Sequence, residues 1–269
     1  MLWRLLFIHG RWNYIRISDM ILYFMYKSII FTVPRVAYAF YSDYSGERVF
    51  EGAYIGMYNT LFTALPLLIR ALFEQDVNYI YRKTAPDSAQ VHPAEPSMPQ
   101  PEEQFLPTGY TANPFLKSLF PKIYFVGQDN RIFNLKNCVI WLLEAVVLGI
   151  FATILCMEVV GGEDSLDANG YSGGYAIFSV NLYSAVLMMV SLKLCVHVRH
   201  WTWLLFISMA VISLATYVGF MWFSHNTFTL LLIGSIDTYF ATAKTWFVVL
   251  LMSCWVLAIG GLLVWLEAN

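Results

Sequence analysis

A single lysine inside an apolar run limits what this chain can fold into. The run Asp19–Tyr41 is long enough to cross the hydrocarbon of a bilayer, which takes about 20 residues of helix, and Lys27 falls near its middle. A lysine at the centre of a spanning helix costs about 2.5–3.5 kcal/mol on insertion scales. It therefore faces protein or water, and it marks a candidate functional position.

Five more runs of the same kind follow, giving six at 19–41, 53–73, 138–160, 175–196, 202–224 and 245–266. With 58% hydrophobic and 13% charged residues, the chain lies far from the roughly 25% charged content of soluble domains. Backbone polar groups in lipid must be satisfied within the segment, so continuous runs of this length are helices. The expected fold is an all-α, polytopic membrane protein with six transmembrane helices and both ends on one side.

The basic residues say which side. Arg4, Arg11, Arg16, Arg70, Arg82, Lys83, Lys117, Lys122, Arg131, Lys136, Lys193 and Arg199 border one face, against Arg35, Arg48 and Lys244 on the other. The positive-inside rule places both termini in the cytoplasm. The connection 161–174, with Glu163, Asp164 and Asp167, belongs outside.

The organisation is then a cytoplasmic approach (1–18), a first transmembrane hairpin (19–73), a cytoplasmic linker (74–137) and a four-helix membrane scaffold (138–269). Within the linker, 86–107 carries Pro86, Pro93, Pro96, Pro99, Pro101 and Pro107 without an apolar period, the composition of a disordered segment. Order is expected again over Asn113–Asn137, lying flat at the membrane surface. Pro34 and Pro66 interrupt the backbone bonding of the two hairpin helices. Gly149 and Gly260-Gly261 allow close helix approach. Glu144 reads as the partner of Lys136 or of Lys193.

Soluble-enzyme motifs are missing: there is no phosphate-binding glycine loop and no nucleophile elbow. His197, Arg199 and His200 read as an interfacial basic cluster rather than a metal site, and no other grouping suggests a metal. Cys138, Cys156, Cys195 and Cys254 have no ligand spacing and read as small buried apolar residues. Nothing points to nucleic acid as a partner.

The segments Leu5-Leu-Phe-Ile-His-Gly-Arg-Trp-Asn-Tyr-Ile-Arg-Ile-Ser18, Ile21-Leu-Tyr-Phe-Met-Tyr-Lys-Ser-Ile-Ile-Phe31, Phe40–Ser45 and Tyr58-Asn-Thr-Leu-Phe-Thr-Ala-Leu-Pro66 carry a more specific signal. In this order they resemble the flippase branch of the P-type ATPases, from after its phosphorylation domain through its last six membrane helices. Glu74-Gln-Asp-Val77, Tyr124–Phe133 and His200-Trp-Thr-Trp203 extend the resemblance.

The resemblance implies the membrane part of an ATP-driven transporter that moves phospholipid from the exoplasmic to the cytoplasmic leaflet. It places Lys27, Ser28, Asn59, Thr63 and Pro66 along one wall of a headgroup path, with the last four spans as scaffold. Ser28 departs from the family, which usually has asparagine there, so headgroup choice does not carry over. The resemblance also implies a two-span accessory subunit, a plasma-membrane or Golgi and endosomal location, and an N-terminal pump portion that handles ATP and magnesium. The D-K-T-G aspartate, the nucleotide domain and the first four membrane helices of the family are not in this sequence, so no cofactor is expected in this chain and it reads as a fragment. The rivals are a stand-alone membrane interaction or regulatory protein derived from such a pump and, more distantly, a passive channel or scramblase. Lacking a phosphorylation motif, the isolated chain should retain no label after incubation with labelled ATP and acid quenching; retained label would overturn its assignment as non-catalytic.

Overall fold

The computed structural model describes residues 9–74, 127, 130, 132–161, 174–199, 201–227 and 235–268. The described residues contain no strand, and six helices are long and apolar enough to cross a membrane. These are α1 (Gly10–Tyr41), α2 (Gly52–Phe73), α3 (Leu135–Val159), α4 (Gly174–His197), α5 (Trp203–Ser224) and α7 (Ala243–Ala268). A short α6 (Ser235–Ala241) leads into α7. Each of the six apolar runs is one of these helices, so the protein is an integral, multi-pass membrane protein. The proline-rich 86–107 stretch, nearly all of Asn113–Arg131, the acidic connection and His200 lie outside the described residues.

Helix α1 starts at Gly10, nine residues before its apolar run, so the basic approach is itself helical. Its 32 residues span about 48 Å, more than the roughly 30 Å hydrocarbon core. The helix continues through Pro34 without a break. The neighbouring surface explains the fit: a Cβ on Gly149 of α3 would lie 3.0 Å from the Val33 Cβ and 3.5 Å from the Pro34 Cδ. Only a residue without a side chain lets α1 and α3 approach this closely. Of the glycine pair in α7, Gly260 faces Val196 of α4, whereas Gly261 meets nothing within 4 Å.

Helix α4 is the most enclosed of the six and lies against α1, α3, α6 and α7. The Tyr23 hydroxyl of α1 donates to the Val190 carbonyl (3.0 Å), and the Tyr183 hydroxyl donates to the Tyr54 carbonyl of α2 (3.1 Å). Both halves of the hairpin are thereby fixed to one central element.

Two groups of buried charges in this bundle are paired. Lys193 Nζ of α4 donates to both oxygens of Glu144 on α3, at 2.8 and 2.7 Å, and lies 4.6 Å from the Trp141 ring centroid. This resolves the two possible partners of Glu144 in favour of Lys193. At the end of the bundle that holds Gly10, Arg70 bonds Asp19 (2.8 Å) and the His197 carbonyl (2.9 Å). Nearby, Glu74 accepts from the Arg199 amide at 2.7 Å. These contacts tie the ends of α1 and α2 to the end of α4.

One expectation is refined and one corrected. His197 stands at the end of α4 beside Arg70 and Arg199, as an interfacial basic cluster requires, but its ring is turned inward: it packs on Trp141 at 4.6 Å and its Nδ1 lies 3.1 Å from the Lys193 carbonyl. Of the cysteines only Cys156 is fully buried, and Cys254 is exposed, because an apolar helix in lipid has no reason to turn a thiol inward. Trp201, Trp203, Trp222 and Trp246 are exposed, as residues of an interfacial belt are.

The Glu144–Lys193 pair yields a direct prediction. Glu144→Leu alone strands a buried ammonium and should destabilise the folded protein by about 3–5 kcal/mol, whereas Glu144→Leu with Lys193→Met should recover most of that loss. Thermal unfolding in detergent reads both; equal losses in the single and double variants would contradict a pairing role.

Candidate functional site

The site is built where α1 faces α2, and the local sequence of α2 explains its shape. Pro66 has no amide proton and its ring crowds the carbonyl four residues back. The preceding stretch Tyr58–Phe62 runs as a π-helical turn. Such turns occur mostly as single insertions, frequently at functional sites. The Thr63 amide bonds the Tyr58 carbonyl five residues back (3.2 Å), and the Thr63 hydroxyl donates to the same oxygen at 2.7 Å.

With its proton committed there, the Thr63 oxygen has lone pairs left to accept. It takes one bond from Lys27 Nζ at 3.0 Å. In return, the Tyr58 hydroxyl donates to the Lys27 carbonyl at 2.9 Å. Lys27, Thr63 and Tyr58 thus close a ring of hydrogen bonds across the two helices. Above it, the Phe31 ring stacks on Tyr58 at 4.0 Å and on Phe50 at 5.0 Å, both at 8°, and Tyr183 of α4 meets Phe31 and Phe50 edge-on.

Lys27 is 2% exposed. It lies about 12 Å along α1 from Asp19 and about 21 Å from Tyr41, within the apolar run rather than at its end. An ammonium carries three donors and no acceptor, and Lys27 forms no ion pair among the described residues. Beyond Thr63, its near neighbour is the Phe24 ring, 5.2 Å away. The contrast with Lys193 is direct: that lysine is neutralised by a bidentate carboxylate, whereas Lys27 is held by one hydroxyl.

The other candidates are dispersed around this ring. Ser28 is half-buried, and its hydroxyl donates to the Phe24 carbonyl of its own helix at 2.9 Å. Asn59 is exposed on the π turn, and its side chain makes no hydrogen bond with the described residues. Pro66 is buried one turn beyond Thr63. The structure therefore brings Lys27 and Thr63 into contact and sets Asn59 on the open flank. Tyr58 and Phe31 stand in the segments that carry the resemblance but were not assigned to the site, although Tyr58 directly precedes Asn59 and Phe31 stands one turn beyond Lys27.

Among the described residues no group of three or more His, Cys, Asp or Glu converges, and the carboxylates of Asp19, Glu74 and Glu144 are engaged in ion pairs.

Comparison with known proteins bears on the arrangement as a whole. Residues 1–90 and 112–265 match the family model described as phospholipid-translocating P-type ATPase, C-terminal. Similar proteins include phospholipid-transporting ATPase IC of Homo sapiens, 28% identical over 245 residues, which is 90% of this chain and 16% of that protein. Phospholipid-transporting ATPase IK of Mus musculus is 28% identical, covering 80% of this chain and 13% of its own length. Phospholipid-transporting ATPase 10 of Arabidopsis thaliana is 26% identical, covering 74% of this chain and 14% of its own length. The chain thus spans only a small C-terminal share of the relatives it matches.

The hydrogen-bonded ring predicts a graded response. Thr63→Val removes the acceptor of a buried ammonium and should cost about 2–3 kcal/mol, while Thr63→Ser should be near neutral and Tyr58→Phe should cost about 1 kcal/mol. Unfolding midpoints in detergent check the order; a Thr63→Val protein as stable as Thr63→Ser would show that the hydroxyl does not hold Lys27.

Proposed function

The chain belongs to the phospholipid-translocating P-type ATPases, whose C-terminal domain it matches over most of its length, and from that membership we propose that it is the membrane part of an ATP-driven flippase. The pump moves phospholipid from the exoplasmic to the cytoplasmic leaflet. ATP and magnesium act in phosphorylation and nucleotide domains outside this sequence, and this chain contributes the path and its scaffold. Both termini lie in the cytoplasm, on the strength of the asymmetry in basic residues.

One observation carries the reading. Lys27 is a buried cation within the apolar run with a single hydroxyl acceptor, so two of its three donors remain for a ligand. A phosphate or carboxylate of a passing headgroup has the charge and acceptors to fill them. Ser28, Asn59, Thr63 and Pro66 complete this wall of the path. Asn59 offers an amide on the open flank, Thr63 positions the ammonium, Pro66 loosens the backbone that makes the π turn, and Ser28 presents oxygen lone pairs on the next α1 position. A polar residue exposed at this depth, as Asn59 is, also calls for a neighbour, consistent with the remaining pump helices packing on this side. A two-span accessory subunit and a plasma-membrane or Golgi and endosomal location complete the proposal; both rest on the family resemblance.

In an intact pump containing this segment, Lys27→Ala should weaken lipid stimulation of dephosphorylation far more than phosphorylation by ATP. Apparent lipid affinity and thermal stability measured on the same variant decide: unchanged affinity with a large loss of stability would rule out the substrate-path role.

A further inference from the structure

A second cation stands on the same row of α1. Lys27, Phe31 and Arg35 are spaced i, i+4, i+8 and share a helix ridge, which puts Arg35 about 12 Å beyond Lys27 and about 9 Å short of Tyr41. Arg35 is half-buried. Its guanidinium carbon lies 4.2 Å from the Phe31 ring centroid and 5.7 Å from that of Phe50, so aromatic faces hold the group in place. They supply no acceptor for its in-plane donors: Nε and Nη2 are shielded from solvent and have no hydrogen-bond partner.

Carboxylates are close in sequence but are not used. Glu47 and Glu51 sit on the adjoining turn; Glu47 accepts from the Tyr38 hydroxyl at 3.2 Å, and neither forms an ion pair with Arg35 among the described residues. An arginine keeps its charge in a protein and presents five donors in a rigid fork. What matches that fork is an oxyanion with two acceptors on one side, such as a phosphate. Beside Arg35 on the same helix, Thr32 and Val36 are exposed, so this flank opens toward the bilayer. There the phosphate comes from phospholipid.

We infer that the Arg35 guanidinium binds the phosphodiester of a phospholipid at the turn end of the α1–α2 face, as a receiving station one ridge repeat before Lys27. The inference rests on the proposed transport path and deepens it. The stacked Phe31 and Tyr58 rings separate the two stations, so a headgroup leaves Arg35 before it meets Lys27.

The test uses the purified 269-residue chain in lipid-free detergent, with spin-labelled phosphatidylcholine and spin-labelled diacylglycerol as probes and the immobilised fraction of label as the readout. Arg35→Gln should weaken phosphatidylcholine binding about tenfold, the loss of one charge-assisted pair. Diacylglycerol binding should not change, Arg35→Lys, which keeps the charge but not the fork, should recover only part of the affinity, and the unfolding midpoint of Arg35→Gln should stay near that of the parent. Unchanged phosphatidylcholine binding in Arg35→Gln, an equal loss for diacylglycerol, or a loss that only follows unfolding would overturn the assignment. Displacement of the label by soluble glycerophosphocholine would overturn its lipid character. Lys27→Gln separates the two readings: weakened binding there with none in Arg35→Gln leaves the transport path standing and removes Arg35 from it, whereas a parent chain that binds no phosphatidylcholine defeats both.

Discussion

An ammonium in an apolar bundle has to be held by something, and in this protein Lys27 is held by a threonine oxygen that is itself placed by an irregular turn of the facing helix. The rest of the hairpin depends on that arrangement. Had α2 been a regular helix through Phe62, Thr63 would turn about 100° from its neighbour and bond four residues back, as in any α-helix. The π turn shifts its hydroxyl onto Tyr58 and into reach of α1. Tyr58 returns the contact by bonding the Lys27 carbonyl, so neither helix can rotate without breaking the ring. A lysine with a fixed carboxylate, as Lys193 has in Glu144, would be a structural peg. One held by a single hydroxyl keeps donors available.

Two layers keep this ring in place. Toward the turn between α1 and α2, the aromatic stack of Phe31, Phe50 and Tyr58 is wedged by Tyr183, which links the hairpin to α4. Toward the other end, Arg70 joins Asp19 of α1 to the last carbonyl of α4. The buried polar groups of the hairpin are thus divided between a paired ionic layer at the helix ends and a less satisfied cation within the apolar run.

Much of this was legible in the sequence, and the reasons for the rest are specific. The six helices follow from continuous apolar runs, because lipid permits no other form for them. Lys27 stood out because a charge at that depth is costly, and Thr63 was selected with it, although the contact between them depends on a π turn that has the same composition as an α-helix. Arg35 was counted with the charges near the turn although the 19–41 run contains it; its seat on the Phe31 and Phe50 rings depends on packing that the sequence does not show. Glu144 had two lysines in reach along the chain, and only packing against α4 chose Lys193. Cys254 was expected inside, but burial cannot be inferred from polarity where the surroundings are as apolar as the side chain.

On the proposed path the Lys27 ammonium meets lipid phosphate. Nitrogen–phosphorus dipolar recoupling by solid-state magnetic resonance, on lysine-labelled protein in phospholipid bilayers, measures that proximity directly, since phospholipid is the source of phosphorus in the sample. The account predicts dephasing of a buried lysine amine by phosphorus, lost in Lys27→Arg and retained in the Glu144→Leu, Lys193→Met double variant. Dephasing that is absent from the parent, or that survives the loss of Lys27, would contradict it.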